Sequence, residues 1–189
     1  MPESHIQKVL DGDKDAFRFI IRQFQDSAFT LAVSITKEEF AAKDAVQAAF
    51  VKAYTRLRTF ERKSSFKTWF HRIVVNEAFQ VLRNQKRRQK LSFALKADEK
   101  GTSNPVNHIE QKADDDHLRF YIREGMKMLA ANEALALQLF YLEEYSIKET
   151  GQVTGWSESK TKVLLHRARK KLKQVLTETY HIQPKEFFE

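Results

Sequence analysis

The sequence predicts an all-α protein: two small helical domains joined by a flexible acidic linker, the second a helix-turn-helix. Three observations carry this. Apolar residues recur at three- and four-residue steps over long stretches, above all from Ser64 to Lys90. Only five Gly and three Pro occur in 189 residues, while Lys, Glu, Gln, Ala and Leu are abundant. Mid-chain, Lys100-Gly101-Thr102-Ser103-Asn104-Pro105 breaks helix, and the charge changes sign around it.

The elements follow in order. Residues 3–10 suit a short helix, closed by Asp11-Gly12, and Asp13 is placed to cap the next. Phe17, Ile20, Ile21, Phe24, Ala28, Leu31, Ala32 and Ile35 keep helical spacing up to Thr36. Thr36-Lys37-Glu38-Glu39 has the form of a capping box. The helix after it should run to about Thr59, with Val46, Ala49, Phe50, Ala53, Tyr54 and Leu57 inward and Asp44, Gln47, Lys52 and Arg56 on the other face.

After a polar connection, Phe66, Trp69, Phe70, Ile73, Val74, Ala78, Val81 and Leu82 form the apolar stripe of a long helix. Trp69 lies on that stripe and reads as core rather than as a stacking platform. The helix ends in Arg83, Lys86, Arg87, Arg88 and Lys90, with no acid among them. These helices make a first domain over residues 1–93. Residues 94–117, with Asp114-Asp115-Asp116, read as a mobile linker, and 179–189 as a tail.

The second domain is expected over 118–178. Leu118, Ile122, Met126 and Leu129 give one stripe; Asn132 could cap a helix carrying Leu135, Leu139 and Leu142. Ser146-Ile147-Lys148-Glu149 is a further capping box, and Gly155 suits the helix end. Ser157 could cap the last helix, with Thr161, Leu165, Ala168 and Leu172 inward. A short helix, a Gly-containing turn and a longer helix are the helix-turn-helix pattern. Gly151 would let those two helices cross closely.

The net charge is +8, and its distribution is uneven. Residues 1–95 carry 18 Lys and Arg against 10 Asp and Glu, residues 96–118 carry 3 against 6, and residues 119–189 carry 12 against 9. Two basic blocks around an acidic segment suit two contacts with a polyanion. The last helix carries Lys160, Lys162, Arg167, Arg169, Lys170, Lys171 and Lys173 with no acid after Glu158 until Glu178. Its outward N-terminal face would meet base edges, and the later cations phosphates. There is no Cys, so no disulfide or thiolate metal site. The six His are scattered, and neither HExxH nor a Gly-rich phosphate loop occurs, so no enzyme, metal site or cofactor is expected. No apolar run is long enough to span a bilayer and no signal-peptide pattern opens the chain, so a cytoplasmic protein without membrane insertion is expected.

Three motifs carry a resemblance: Asp44-Ala-Val-Gln47-Ala-Ala-Phe50; Ser65-Phe66-Lys67-Thr68-Trp69-Phe70-His71-Arg72-Ile73 with Asn76; and Leu165-His166-Arg167-Ala168-Arg169-Lys170-Lys171-Leu172. In this order, they resemble the extracytoplasmic-function (ECF) sigma factors of bacterial RNA polymerase, over nearly the whole chain. The departures are Ala48, Gln80, Ala130-Ala131, Lys160-Thr161 and Leu164.

The resemblance implies a promoter-specificity subunit. Asp44, Gln47, Phe50, Lys52 and Arg56 would bind core RNA polymerase at the clamp helices of its largest subunit, and the second domain would meet the flap. Lys63, Ser64, Ser65, Lys67, Arg72, Asn76, Phe79, Arg83, Lys86 and Arg87 would hold the melted minus-ten element, with Asn76 at a flipped base. Ser157, Ser159, Lys160, Lys162, Val163, His166, Arg167 and Lys170 would meet the minus-thirty-five duplex. The linker would thread a polymerase channel, and an anti-sigma factor or other regulatory protein is the implied controlling partner. The residues alone leave open a helix-turn-helix transcriptional regulator with a helical partner-binding domain.

Overall fold

The computed structural model describes residues 2–95 and 114–182. Eight α-helices run through the described residues: α1 Pro2–Leu10, α2 Phe17–Thr36, α3 Glu39–Arg56, α4 Phe66–Leu95, α5 Asp114–Lys127, α6 Ala131–Leu137, α7 Ile147–Thr154 and α8 Glu158–Tyr180. Single 3-10 turns, Lys14–Ala16 and Leu57–Thr59, precede α2 and follow α3, and α6 unwinds into a π-helical turn, Gln138–Leu142. The described residues contain no strand.

The predicted stripes are the core. Ile20, Phe24, Leu31 and Ile35 of α2, Ala45, Ala49 and Ala53 of α3, and Phe66, Phe70, Val74 and Ala78 of α4 are all buried. The alanines on α3 let it lie close to its neighbours, and aromatic rings fill the space beyond. Phe70 sits 4.7 Å from the ring of Phe50 and 5.7 Å from that of Phe24. Trp69 is half-buried, 5.2 Å from Phe60 and 5.5 Å from Phe66, as a core position should be.

Several local expectations are corrected. Thr36 does not cap α3: its hydroxyl donates back to the Ala32 carbonyl at 3.0 Å, closing α2. Lys37 then turns the chain at φ 63, and Glu38 stands at the N-cap without a side-chain capping bond, its carboxylate accepting instead from Gln85 Nε2 at 2.7 Å. Helix α3 stops at Arg56, three residues short of Thr59. Tyr54 and Leu142 are exposed rather than inward. The N-cap of α6 is Ala130, not Asn132; Glu133 accepts from the Ala130 amide at 3.1 Å. Asp114, Asp115 and Asp116 open α5 rather than belonging to a linker, a place where acidic residues favour helix. Residues 96–113, where the rest of the expected linker falls, and 183–189 lie outside the described residues.

The helix-turn-helix forms as its caps require. Ser146 Oγ accepts from the Glu149 amide at 3.2 Å, while the Glu149 carboxylate accepts from the Ser146 amide at 2.9 Å. Gly155 ends α7 at φ 75, and Ser157 Oγ accepts from the Lys160 amide at 3.2 Å to start α8. Gly151 has a different reason from the expected one. A Cβ there would stand 2.8 Å from the Trp156 carbonyl oxygen, so the glycine makes room for the turn, not for a helix crossing. The close helix crossing is at Gly125, where a Cβ would meet Leu172 Cδ1 at 2.8 Å.

The two halves share a core. Leu135, Leu139, Tyr145 and Val153 complete the cluster built by α2, α3 and α4. Leu129, Ala134, Ala136, Leu137, Leu165, Ala168, Leu172 and Leu176 form a second cluster, and Trp156 packs against both.

Candidate nucleic-acid interfaces

Helix α4 presents a long exposed stripe. At about 100° per residue, Arg72, Asn76, Phe79, Arg83, Lys86 and Arg87 fall within roughly a third of its circumference. All are exposed except Phe79, which is half-buried against the core. The stripe therefore carries one neutral side chain able both to donate and to accept, Asn76, with cations on either side.

The other residues expected beside Asn76 are placed differently. Lys63 is exposed and ion-paired with Glu61. Ser64 is half-buried, with its hydroxyl 3.4 Å from the Ser65 carbonyl. Ser65 Oγ accepts from the Thr68 amide at 3.1 Å, so this side chain caps α4. Lys67 lies roughly 140° around the helix from Arg72 and points at the second half. Its Nζ is 3.0 Å from a Glu143 carboxylate oxygen, 3.1 Å from the Glu143 carbonyl and 5.1 Å from the centre of the Tyr145 ring.

A hydrogen-bonded chain runs beside Lys67. His71 is fully buried, with Nδ1 3.1 Å from the Tyr145 hydroxyl and Nε2 3.1 Å from Ser27 Oγ. Ser27 donates its proton to the Phe24 carbonyl at 3.1 Å, so its oxygen accepts from Nε2–H. Nδ1 then accepts from the Tyr145 hydroxyl. His71 is thus neutral. Burial, and then the charge of Lys67, lower its pKa to about 3. Burial likewise pushes the Tyr145 hydroxyl well up. Lys37 makes a second bridge, donating to the Met126 carbonyl at 2.8 Å; its burial lowers the ammonium pKa to about 8, against the opposing pull of Glu133.

Helix α8 divides cleanly. Thir inward line is Thr161, Leu165, Ala168 and Leu172, all buried. Ser159, Lys160, Lys162, Val163, His166, Arg167 and Lys170 are exposed on the far side. Cations at the flanks are used in packing: Arg169 lies over the rings of Phe140 and Tyr141, and Lys171 is 3.4 Å from Glu133. Lys160 sits 5.5 Å from the Trp156 ring centre, at the start of the outward face. Ser157 is committed to the cap.

On α3, Asp44, Gln47, Ala48, Val51, Lys52, Thr55 and Arg56 line an open groove. Phe50 is 9% exposed and belongs to the core, as its inward place on α3 predicts, and does not line the groove; Lys52 is half-buried in an ion pair with Glu77 at 2.5 Å. Val51, 59% exposed in the groove, was missed; its place seven residues after Asp44 was the available signal.

The match to known families follows this division. Residues 20–88 match the model of sigma-70 region 2, and residues 119–172 match that of sigma-70 region 4. SigW of Bacillus subtilis (strain 168), an ECF RNA polymerase sigma factor, is 26% identical over 185 residues, spanning 93% of this chain and 97% of its own.

The chain belongs to the ECF sigma factor family.

It is an alternative sigma factor of transcription initiation. The sigma-E factor of Escherichia coli (strain K12) is 28% identical over 169 residues, covering 87% of this chain and 88% of that one. Among solved structures, the sigma factor RpoE in complex with the anti-sigma factor NepR from Bartonella quintana has the same fold. Its TM-score is 0.66 at 22% identity, over 85% of this chain and 96% of that one. CnrH, in complex with the cytosolic domain of CnrY, gives 0.62 at 21% identity, over 92% and 96%. Sigma factors are a non-enzymatic family of initiation factors. None of the described helices is long and apolar enough to cross a membrane.

Proposed function

We propose that this ECF sigma factor uses three separate surfaces. The α3 groove around Asp44, Gln47 and Arg56 binds core RNA polymerase. The α4 stripe reads the melted minus-ten element, with Asn76 on a flipped base edge and Arg83, Lys86 and Arg87 on the flanking phosphates. The outward face of α8 reads the minus-thirty-five duplex. The observation that carries this is the pair of exposed basic stripes on different helices, α4 and α8, only the first of which has an amide at its centre. A base edge inside a duplex is occupied by its partner strand, so a small donor–acceptor side chain beside phosphate-binding cations suits an unpaired base.

The domain limits that go with this are 1–93 and 118–178, the second extended back to Asp114, where α5 begins. The protein acts in the cytoplasm, without catalysis of its own and without a cofactor. A controlling anti-sigma protein fits, since both structural neighbours above were solved in complexes, one with the anti-sigma factor NepR.

The test is reconstitution. Purified protein mixed with core polymerase should comigrate with it on gel filtration and direct run-off transcripts from a defined subset of a genomic fragment library. A protein that binds duplex fragments but neither comigrates with core nor yields transcripts would be a regulator instead.

A further inference from the structure

Among the exposed residues of α8, Val163 alone is neither polar nor charged, and it is 47% exposed. A lone apolar residue on a surface is ordinary; the place of this one is not. At about 100° per residue, Ser159, Val163, His166 and Lys170 fall within about 60° of one another. They lie on the side of the helix away from the buried line Thr161, Leu165, Ala168 and Leu172. Val163 is thus in the middle of the outward face, with exposed Ser159, Lys160, His166 and Arg167 one turn to either side. Its sequence neighbour Leu164 packs inward on the second cluster, so α8 supplies no second exposed apolar residue to make a patch. Long cations that could cover it are drawn aside. Lys160 lies 5.5 Å from the Trp156 ring centre, Arg169 lies over Phe140 and Tyr141, and Lys171 is 3.4 Å from Glu133.

We propose that Val163 packs on the methyl group of a thymine and so fixes one thymine in the upstream element of this protein's promoters. Val163 lies about 7.5 Å along the helix axis from Glu158, the first residue of α8. That is within the N-terminal part that a recognition helix lays against base edges. The one apolar group that any base pair shows in the major groove is the thymine C5 methyl. Cytosine shows an amino donor there, and purines show an N7 acceptor. A valine satisfies neither and would strip either of its water, so it selects against them as well as for thymine. Its branched side chain is stiff at χ1 in a helix, so its methyls are already placed and lose little freedom on contact. The contact rests on the reading of α8 above as the helix that meets duplex.

The experiment is a methyl scan. Duplexes are selected from a randomised pool by the full chain bound to core polymerase, and by the full chain alone. In the preferred duplex, each thymine on either strand is replaced in turn by deoxyuridine, which lacks only the methyl. One such replacement should weaken binding on the order of fourfold, the worth of one buried methyl, and the others should be close to neutral. Val163→Ser, an exposed change that leaves the buried line of α8 intact, should bind the thymine and uracil duplexes equally at that position. Val163→Thr, which keeps one γ-methyl, should retain a smaller difference. A preferred duplex with no methyl-sensitive thymine would overturn the contact and leave the promoter reading standing. A methyl-sensitive thymine that Val163→Ser still distinguishes would assign the methyl to another side chain and overturn it likewise. Selection of no duplex sequence at all, with or without core polymerase, would reject the reading of α8 and this contact with it.

Discussion

Acid should loosen this protein through His71. The imidazole is fully buried and neutral, between Tyr145 and Ser27, with a pKa of about 3. The charged group acting on it is Lys67 on its own helix, itself paired with Glu143, and Tyr145 is the titratable group bonded to it. In the unfolded chain an imidazole titrates near 6.5. The folded value is the lower one, so unfolding takes up a proton below pH 6.5. The stability this residue contributes is complete above that pH and is lost as pH falls from about 6.5 toward 3. At pH 5.5 the folded form is still neutral while about nine in ten unfolded imidazoles are charged, which costs about 1.4 kcal/mol. For a chain of this size that is a fall of roughly 3–6 °C in Tm. The assay is a melt at pH 7.5 and 5.5 of the natural protein and of His71→Gln, whose amide can accept from Tyr145 and donate to Ser27 without titrating. The difference between the two proteins in their pH-dependent drop isolates His71 from every other group. Equal drops in both would show that His71 is not the buried, neutral bridge described.

Three substitutions extend the test. Asp44→Arg, on an exposed face of α3, should leave the Tm within about a degree, since surface changes cost little, while weakening comigration with core polymerase at least tenfold by titration; unchanged affinity would move the polymerase contact elsewhere. Gly151→Ala should destabilise by about 1–3 kcal/mol, because its Cβ would stand 2.8 Å from the Trp156 carbonyl oxygen, read as a fall in the urea midpoint. Arg167→Ala should weaken binding to upstream-element duplex and lower the slope of log K against log salt by about one.

Much of the fold was legible because helix periodicity and caps are local. The α4 stripe, the Ser146–Glu149 box, Gly155 and Ser157 each depend on residues within one turn, and all are as expected. Thr36 misled because the same hydroxyl that can cap the next helix can also bond back four residues, and Lys37 at φ 63 decided for the latter. The burial of Phe50 followed from its spacing along α3, whereas the pairing of Lys52 with Glu77 depends on α4, which that spacing does not register. Least legible was the junction. Lys67 with Glu143 and His71 with Tyr145 are separated by more than 70 residues, and a lysine near a serine-rich turn looks like a phosphate contact until its partner is found.

The central claim is that one surface of this sigma factor reads an unpaired base while another reads duplex. Permanganate reactivity of thymines on a promoter bound by holoenzyme tests it most directly. With Asn76→Ala, an exposed change to a good helix former, upstream duplex binding should be unaltered. Thymine reactivity in the minus-ten element should fall roughly five- to 150-fold, the range of one base-edge contact of about 1–3 kcal/mol. With Arg167→Ala, duplex binding should fall, and reactivity per bound complex should stay as it was. If instead Asn76→Ala lowers only duplex affinity and melting is intact once DNA is bound, the α4 stripe does not read a melted strand and the account is wrong.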